Sequence, residues 1–497
     1  MLTALVGKAS ASLGLKFAYA SQINTCEDSM QRQTHQGSKL GPSAANGLLV
    51  KAQKHLASKE LPLAQAIYQR ILLTDSGNLV ARRNMGATLV EQNKLEQALV
   101  HYETALKYHP NDAELHYSLG VITQRFNNLY EAMGHYLRAI ELRPRHIEAF
   151  ENLANIQTQL CLYDDALTSY QHILDIEPGR DSTLYSMSLI LLLHGHFKEG
   201  WELYEHRWAT QDFGKKNPNE VKRIWNHQSE LNGKNVMIVH EQGLGDTIQF
   251  CRYALILAKM NAKVTLIVQS ELESLLQTLN KFDLPNPIII AAKNKIEALE
   301  AKEAHDYVLP MMSLPYALRD SIKGIPDMGE YLWADDTKVE EWKLLMPSNG
   351  KLNIGIAWAG NPHHKNNFNR SIKFNEFKNL FSIDANFHKL TINTTPSEAN
   401  GSFSYWDERL VDFTDTAALL TCMDLVITVD TSIVHLAGAL GINTHLLLPK
   451  APDFRWLLNS NKTAWYKSIT IFRSSEYSDW KNTINKYVKS LIDQLTR

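Results

Sequence analysis

A 34-residue period runs through the first half of this chain and limits what that half can fold into. Tyr68, Tyr102, Tyr136, Tyr170 and Tyr204 follow one another at 34-residue steps. Four residues before each stands a small residue: Ala64, Ala98, Ala132, Ala166 and Gly200. Pro110, Pro144 and Pro178 keep the same step, and so do Gly86, Gly120 and Ala154 on the stretch before each tyrosine. Packing explains the pattern. Small residues let paired helices approach closely, the aromatic ring fills the gap between them, and proline ends the second helix.

A unit of this length with these marked positions matches the tetratricopeptide repeat (TPR). Residues 46–208 are therefore expected to form a TPR α-solenoid of four full repeats and a final one, Ser182 to Trp208. The first, near 46–77, carries Ser76 where proline is expected and reads as a worn cap. Such arrays bind extended or helical peptide in their concave groove. The plainer use is as a spacer or a dimerisation module.

A chain of 497 residues implies further domains beyond this one. The formal net charge is −2 with no basic tract, so nothing points to nucleic acid. Cys26, Cys161, Cys251 and Cys422 lie far apart without a C-x-x-C pair. That argues against a zinc site or a disulfide framework and fits a reducing, cytoplasmic setting. No apolar run approaches the ~20 residues that span a bilayer. Lys8 and Lys16 fall inside what would be the apolar core of a signal peptide, so none is expected. Residues 1–45 read as a poorly ordered lead-in and 209–235 as a linker.

Beyond the linker the rhythm changes. Val236 to His240 is a short apolar run of strand type, followed by Glu241-Gln242-Gly243-Leu244-Gly245-Asp246 and then apolar residues at helical spacing from Thr247. Strand, glycine turn and helix open a nucleotide-type α/β unit, whose helix N-terminus favours anions. The two glycines let the backbone leave the strand sharply. Strands are expected at Val264–Val268, Pro287–Ala291 and Tyr307–Leu309, with helices at Ser270–Leu279, opened by a serine cap, and Lys293–Ala304. Alternation of this kind implies a parallel sheet. Leu318 to Pro347 loses the rhythm and is placed at a domain junction. A second half restarts with strand Leu352–Trp358, helix Lys373–Phe381 and strand Lys389–Ile392. Helix Thr414–Thr421, strands Asp424–Val429 and His445–Leu448, and an amphipathic helix Ser478–Leu495 complete it. The expected fold is thus α followed by α/β: the solenoid, then two Rossmann-like domains at 236–335 and 351–497, facing a cleft at the C-terminal ends of their strands.

Three places could carry chemistry. Asp430, Thr431, Ser432 and His435 begin a helix directly after a strand, where free N–H groups, the helix dipole and two hydroxyls suit a diphosphate. Asp430 or Ser432 serves equally as a plain cap, and His435 as an ordinary core histidine. Asp246 opens the helix after the glycine turn, either as its cap or as a general base taking a proton from an acceptor hydroxyl. Arg370, after the first strand of the second half, offers a fork for phosphate oxygens. His363, His364 and Lys365 lie near it, but adjacent histidines without a third ligand make a poor metal site. No metal and no cofactor are expected.

The stretches HEQGLGDTIQFCRY, GIAWAGNPHHKNNFNRSI, DFTDTAALL and LVITVDTSIVHLAGALG resemble bacterial glycosyltransferases with tetratricopeptide repeats. Their catalytic half is similar to the lipopolysaccharide heptosyltransferases. The resemblance implies a GT-B fold, a nucleotide-sugar donor as substrate, and inverting transfer without metal. It implies Asp246 as base, with Gly243 and Gly245 in the loop around it. It implies Asp430, Thr431 and His435 at the donor phosphates, with Ser432 where heptosyltransferases commonly have glycine. The overall plan also resembles the O-linked N-acetylglucosamine transferase, whose repeats present a protein acceptor, and flagellin glycosyltransferases are the nearest functional analogy. The chain departs from the family at Asn366-Asn367-Phe368-Asn369-Arg370-Ser371, where an acid and an arginine are usual.

The first expectation is an enzyme moving a sugar to a hydroxyl of a protein held by the repeats. The alternatives are a lipid or polysaccharide acceptor, as in heptosyltransferases, and a non-catalytic adaptor whose α/β half has decayed. If the repeats only recruit the acceptor, deleting residues 46–208 spares donor hydrolysis.

Overall fold

The computed structural model describes residues 41–210, 225, 230–292, 294, 305–321, 324–363, 366–391, 403–476 and 480–495. Most of the lead-in, most of the linker, the expected helix Lys293–Ala304, and His364 and Lys365 lie outside these residues. Two compact units divide the chain, the first ending at Pro178 and the second holding Gly179 onward together with Thr158–Tyr163.

In the first unit helices alternate in antiparallel pairs: α1 (Pro42–Ala57), α2 (Leu61–Thr74), α3 (Leu79–Glu91), α4 (Leu95–Tyr108), α5 (Ala113–Arg125), α6 (Leu129–Leu142), α7 (Ile147–Gln159) and α8 (Tyr163–Ile176). The first helix starts at Pro42, inside the stretch assigned to the lead-in, because proline is pre-set for a helix's first turn. Tyr68, Tyr102 and Tyr136 are buried, each on the second helix of its pair. A Cβ on Gly86 would stand 2.5 Å from the Tyr102 ring, and one on Gly120 2.6 Å from Tyr136. The periodic glycine and tyrosine are therefore two sides of one contact. Each pair turns through a left-handed residue at Lys59, Asn93, Asn127 and Cys161, again 34 apart. Asn78 and Asp112 cap α3 and α5.

The second unit opens with the last repeat hairpin, α9 (Asp181–Leu193) and α10 (Phe197–Tyr204), the latter prolonged by a 3₁₀ turn, Glu205–Ala209. Two all-parallel sheets follow. The first comprises β1 (Asn235–Val239), β2 (Lys263–Val268), β3 (Ile289–Ala292) and β4 (Tyr307–Pro310), in the order β3-β2-β1-β4. The second comprises β5 (Leu352–Ala357), β6 (Ala385–Lys389), β7 (Leu425–Val429), β8 (Thr444–Leu448) and β9 (Ile469–Arg473), in the order β6-β5-β7-β8-β9. Strands β7 and β8 are buried along their whole length, as strands covered on both faces must be. Helix Trp480–Leu495 lays Trp480, Ile484, Tyr487, Val488 and Leu491 into the core of the second sheet. The expected fold, a TPR solenoid followed by two Rossmann-like sheets, is the one observed.

Several elements differ from expectation. The helix after β1 is two: α11 (Leu244–Phe250) and α12 (Arg252–Lys259), with a break at Cys251. Ser270 caps nothing. Its hydroxyl bonds Glu271, and 270–281 is a run of short helical turns. Strand β6 ends at Lys389 rather than starting there. Helix Lys373–Phe381 is a 3₁₀ run, Phe374–Ser382. The supposed irregular junction holds α13 (Asp336–Leu345), capped by Asp335 and tied by Lys338 Nζ to Asp415 at 2.6 Å. Its charged exposed face hid the periodicity. Strand β9 was not expected from the sequence. Among the described residues no helix is long and apolar enough to cross a membrane.

Candidate functional site

In a parallel α/β sheet, ligands bind beyond the carboxyl ends of the strands where the strand order reverses. In the first sheet that place lies between β1 and β4, and in the second between β5 and β7. The loop after β1 carries Gly243, Gly245 and Asp246, the loop after β5 carries Arg370, and the turn after β7 carries Asp430 and Thr431. Topology alone therefore puts the residues singled out in the sequence at the two reversal points.

Helix α11 meets the helix after β7, α15 (Ser432–Ala439; α14 is Phe413–Thr421), and Gly245 shows how closely. A Cβ there would stand 2.9 Å from His435 Cδ2 and 3.4 Å from Ser432 Cα. Neither glycine of the loop has a positive φ, and Gly243 has ordinary extended backbone at φ −75°. The expectation that both glycines serve the turn is thus corrected. Gly245 is needed for the approach of the second lobe. A Cβ at Gly243 would meet only Asp246 Oδ2, at 3.3 Å.

Asp246 fills two roles. Its Oδ2 accepts the Gly243 N–H at 2.8 Å and closes the helix N-terminus. Its Oδ1 pairs with Nη2 of Arg455, from the other lobe. Arg455 belongs to a 3₁₀ turn after β8, Phe454–Trp456, and is largely buried. Its Nε donates to Gln249 Oε1 at 2.8 Å and its Nη1 to Asp453 Oδ1 at 2.8 Å. The cation lies 4.5 Å from the centre of the Phe454 ring, and burial is outweighed by Asp453 and Asp246 in keeping it charged. Arg455 thus bridges the lobes across the glycine loop. In the sequence its one cue is an arginine set between two aromatics.

On the second lobe, Thr431 is the residue that caps α15, accepting the Ile433 N–H at 3.3 Å. Neither Asp430 nor Ser432 does so, which corrects the plain-cap expectation. The Asp430 carboxyl lies by the Trp456 indole, and His435 Nε2 stands 4.0 Å from its Oδ1. Burial, reinforced by Asp453, pushes its carboxyl up to about 6. His435 stacks on Trp456, and its Nδ1 is hydrogen-bonded to the Tyr466 hydroxyl at 3.1 Å. Burial, with Arg455, Arg252 and Arg370 around it, holds the imidazole well below its usual range, so it is neutral. One ring nitrogen serves the core and the other faces Gly245 and Asp430.

Arg370 closes a short helical turn, Asn367–Arg370. Its guanidinium lies over Gly360, where a Cβ would be 2.7 Å from Nη2 and 3.3 Å from Thr431 Cγ2. Its Nε is buried without a hydrogen-bond partner, and the guanidinium makes no ion pair among the described residues. A cation so placed beside a capping threonine and a helix N-terminus suits phosphate oxygens. His363 is exposed on the same loop. No group of three or more His, Cys, Asp or Glu among the described residues is arranged to hold a metal ion.

Comparison with known proteins adds the following. The TPR repeat family matches residues 86–125. Protein FlbA of Caulobacter vibrioides is 25% identical over 333 residues, covering 62% of this chain and 54% of FlbA. The chain thus spans about half the length of that relative. Among solved structures, it is similar to YrrB, described as a TPR protein with an unusual peptide-binding site, at 20% identity over 35% of this chain and 90% of that one, TM-score 0.31. It is similar to MamA at 19% identity over 33% of this chain and 96% of that one, TM-score 0.31.

Proposed function

We propose that the α/β region is a glycosyltransferase that uses a nucleotide-sugar donor, and that the repeats bind the protein carrying the acceptor hydroxyl. One observation carries the reading: Gly245 of the first lobe lies against Ser432 and His435 of the second, the adjacent Asp246 pairs with Arg455 of that lobe, and the Arg370 guanidinium, its Nε without a partner, lies over Gly360 beside Thr431. Arg370, Thr431 and the N-terminus of α15 hold the diphosphate. The acceptor oxygen attacks the anomeric carbon and the bond to phosphate breaks. The nucleoside diphosphate leaves with the electron pair, and the proton passes to Asp246, each of whose oxygens keeps a second lone pair. Charge developing on the leaving phosphate is met by fixed donors, which is where such sites gain most. The resemblance of the sequence motifs to repeat-bearing glycosyltransferases supports the same reading, with flagellin-type protein acceptors as its extension.

The test is nucleotide release from a panel of nucleotide sugars. The wild type releases nucleotide with at least one donor. Asp246→Asn loses transfer by about a hundredfold or more while still binding the nucleoside diphosphate. Wild-type transfer by the variant removes Asp246 as base. Silence with every donor, together with retained peptide binding, leaves an adaptor.

A further inference from the structure

We propose that Arg207 and Tyr204, on the final repeat, are positioning residues for the glycine loop 241–246; in its activity arm this rests on the function proposed above. Arg207 has no exposed surface. Its Nε and Nη2 reach Glu241 Oε2 at 3.2 and 3.1 Å, and Nη2 also reaches Oε1 at 3.2 Å. The remaining donors go to Glu205 Oε1 at 2.7 Å, the Tyr204 carbonyl at 3.2 Å and Ser313 Oγ at 2.8 Å. The cation is enclosed by ring faces, 4.2 Å from the centre of Trp208 and 4.7 Å from that of Tyr204. Glu241 in turn accepts the Met312 N–H at 2.5 Å, so the loops after β1 and β4 meet on one carboxylate.

The neighbouring residue is held from the same helix. Gln242 Nε2 donates to the Tyr204 hydroxyl at 2.8 Å, and the Gln242 carbonyl accepts Gln269 Nε2 at 3.0 Å. Thr247 Oγ1 donates to Gln269 Oε1 at 2.8 Å. Gly243 to Asp246 are therefore strung between two anchors: Glu241-Gln242 on the repeat side and Thr247 on β2's loop. Apolar side chains could fill the same space as the ion pair at no loss of stability. What a forked guanidinium adds is direction, because it fixes the plane and position of a carboxylate two residues before Gly243.

The experiment compares hydrogen exchange and donor turnover in the full-length protein and two variants. In Arg207→Met, amide exchange over residues 241–250 accelerates about tenfold or more, while residues 425–439 stay within about twofold. With any donor the wild type hydrolyses, kcat falls about tenfold and the donor KM moves less than about threefold, since phosphate is gripped by the other lobe. Arg207→Lys restores neither, because an ammonium cannot span both oxygens. Tyr204→Phe, which keeps the packing, gives a rise of about threefold confined to the same loop, and decides the matter if Arg207→Met does not fold. Exchange unchanged over 241–250, or rising equally in both segments, overturns the proposal. If the wild type hydrolyses no nucleotide sugar, the transferase reading falls while the exchange measurement still decides this one.

Discussion

Arg370 and Asp430 stand side by side and carry opposite kinds of debt to their surroundings. The Arg370 guanidinium has a buried, unpartnered Nε. Removing it therefore breaks no hydrogen bond at Nε and gives up only a weak attraction for Asp430: Arg370→Ala leaves unfolding stability within about 1 kcal/mol. The same change weakens nucleoside diphosphate binding about tenfold or more in calorimetry, because a forked phosphate contact is lost. Asp430 is largely withdrawn from water beside Asp453, and its carboxyl is raised to about 6. Between its ordinary range near pH 4 and its folded value the native state holds more protons than the unfolded one, so stability declines as pH rises through that window. Asp430→Asn removes this term. The variant is more stable than wild type by about 2 kcal/mol at pH 8, and the gain shrinks towards pH 4. Denaturant unfolding at the two ends of the range measures it.

At the scale of elements, the contact between α11 and α15 decides whether the site exists. Gly245 lets the helices approach, and the His435 ring it faces cannot give way, since Trp456 stacks on it and Tyr466 holds Nδ1. Gly245→Ala costs about 1–3 kcal/mol in thermal or denaturant unfolding, whereas Gly243→Ala is close to neutral. The loop sequence E-Q-G-L-G-D made a glycine turn legible, but it could not say which glycine matters or why. That depends on a histidine 190 residues away in the chain. The same holds for Asp246. Its place at a helix start was readable, while its partner Arg455 was not, because a lone arginine carries no period and no spacing. Helix Lys373–Phe381 is right in place and wrong in kind, and Ser270–Leu279 is α-helical only over Glu273–Leu276 between two 3₁₀ turns, since apolar spacing does not distinguish an α-helix from a run of 3₁₀ turns.

For the whole molecule, the division into functional parts does not follow the repeat pattern. The 34-residue period runs through Tyr204, yet Gly179 onward belongs to the compact unit of the two sheets. Trp201 packs edge-on against Phe250 and Phe454, one from each lobe, at 5.9 and 5.8 Å. A deletion of 46–208 removes that ring together with Tyr204 and Arg207, so the expectation that it spares donor hydrolysis is withdrawn. The boundary belongs after Pro178. A fragment of residues 179–497 unfolds cooperatively, as followed by circular dichroism, while one of residues 210–497 is insoluble or lacks a cooperative transition.

The sequence by itself determined what repeats locally: the paired helices, their small–aromatic contacts, the strand-led rhythm of two α/β sheets, and the loops that carry Asp246, Arg370 and Asp430. Those follow from side-chain periods of a few residues, which neighbours along the chain express on their own. Tertiary structure decided the rest: the Arg455 bridge, the neutral His435, the close approach at Gly245, and the attachment of the final repeat to the glycine loop. Each is a meeting of side chains far apart in the chain, set by charge and shape that no local pattern encodes.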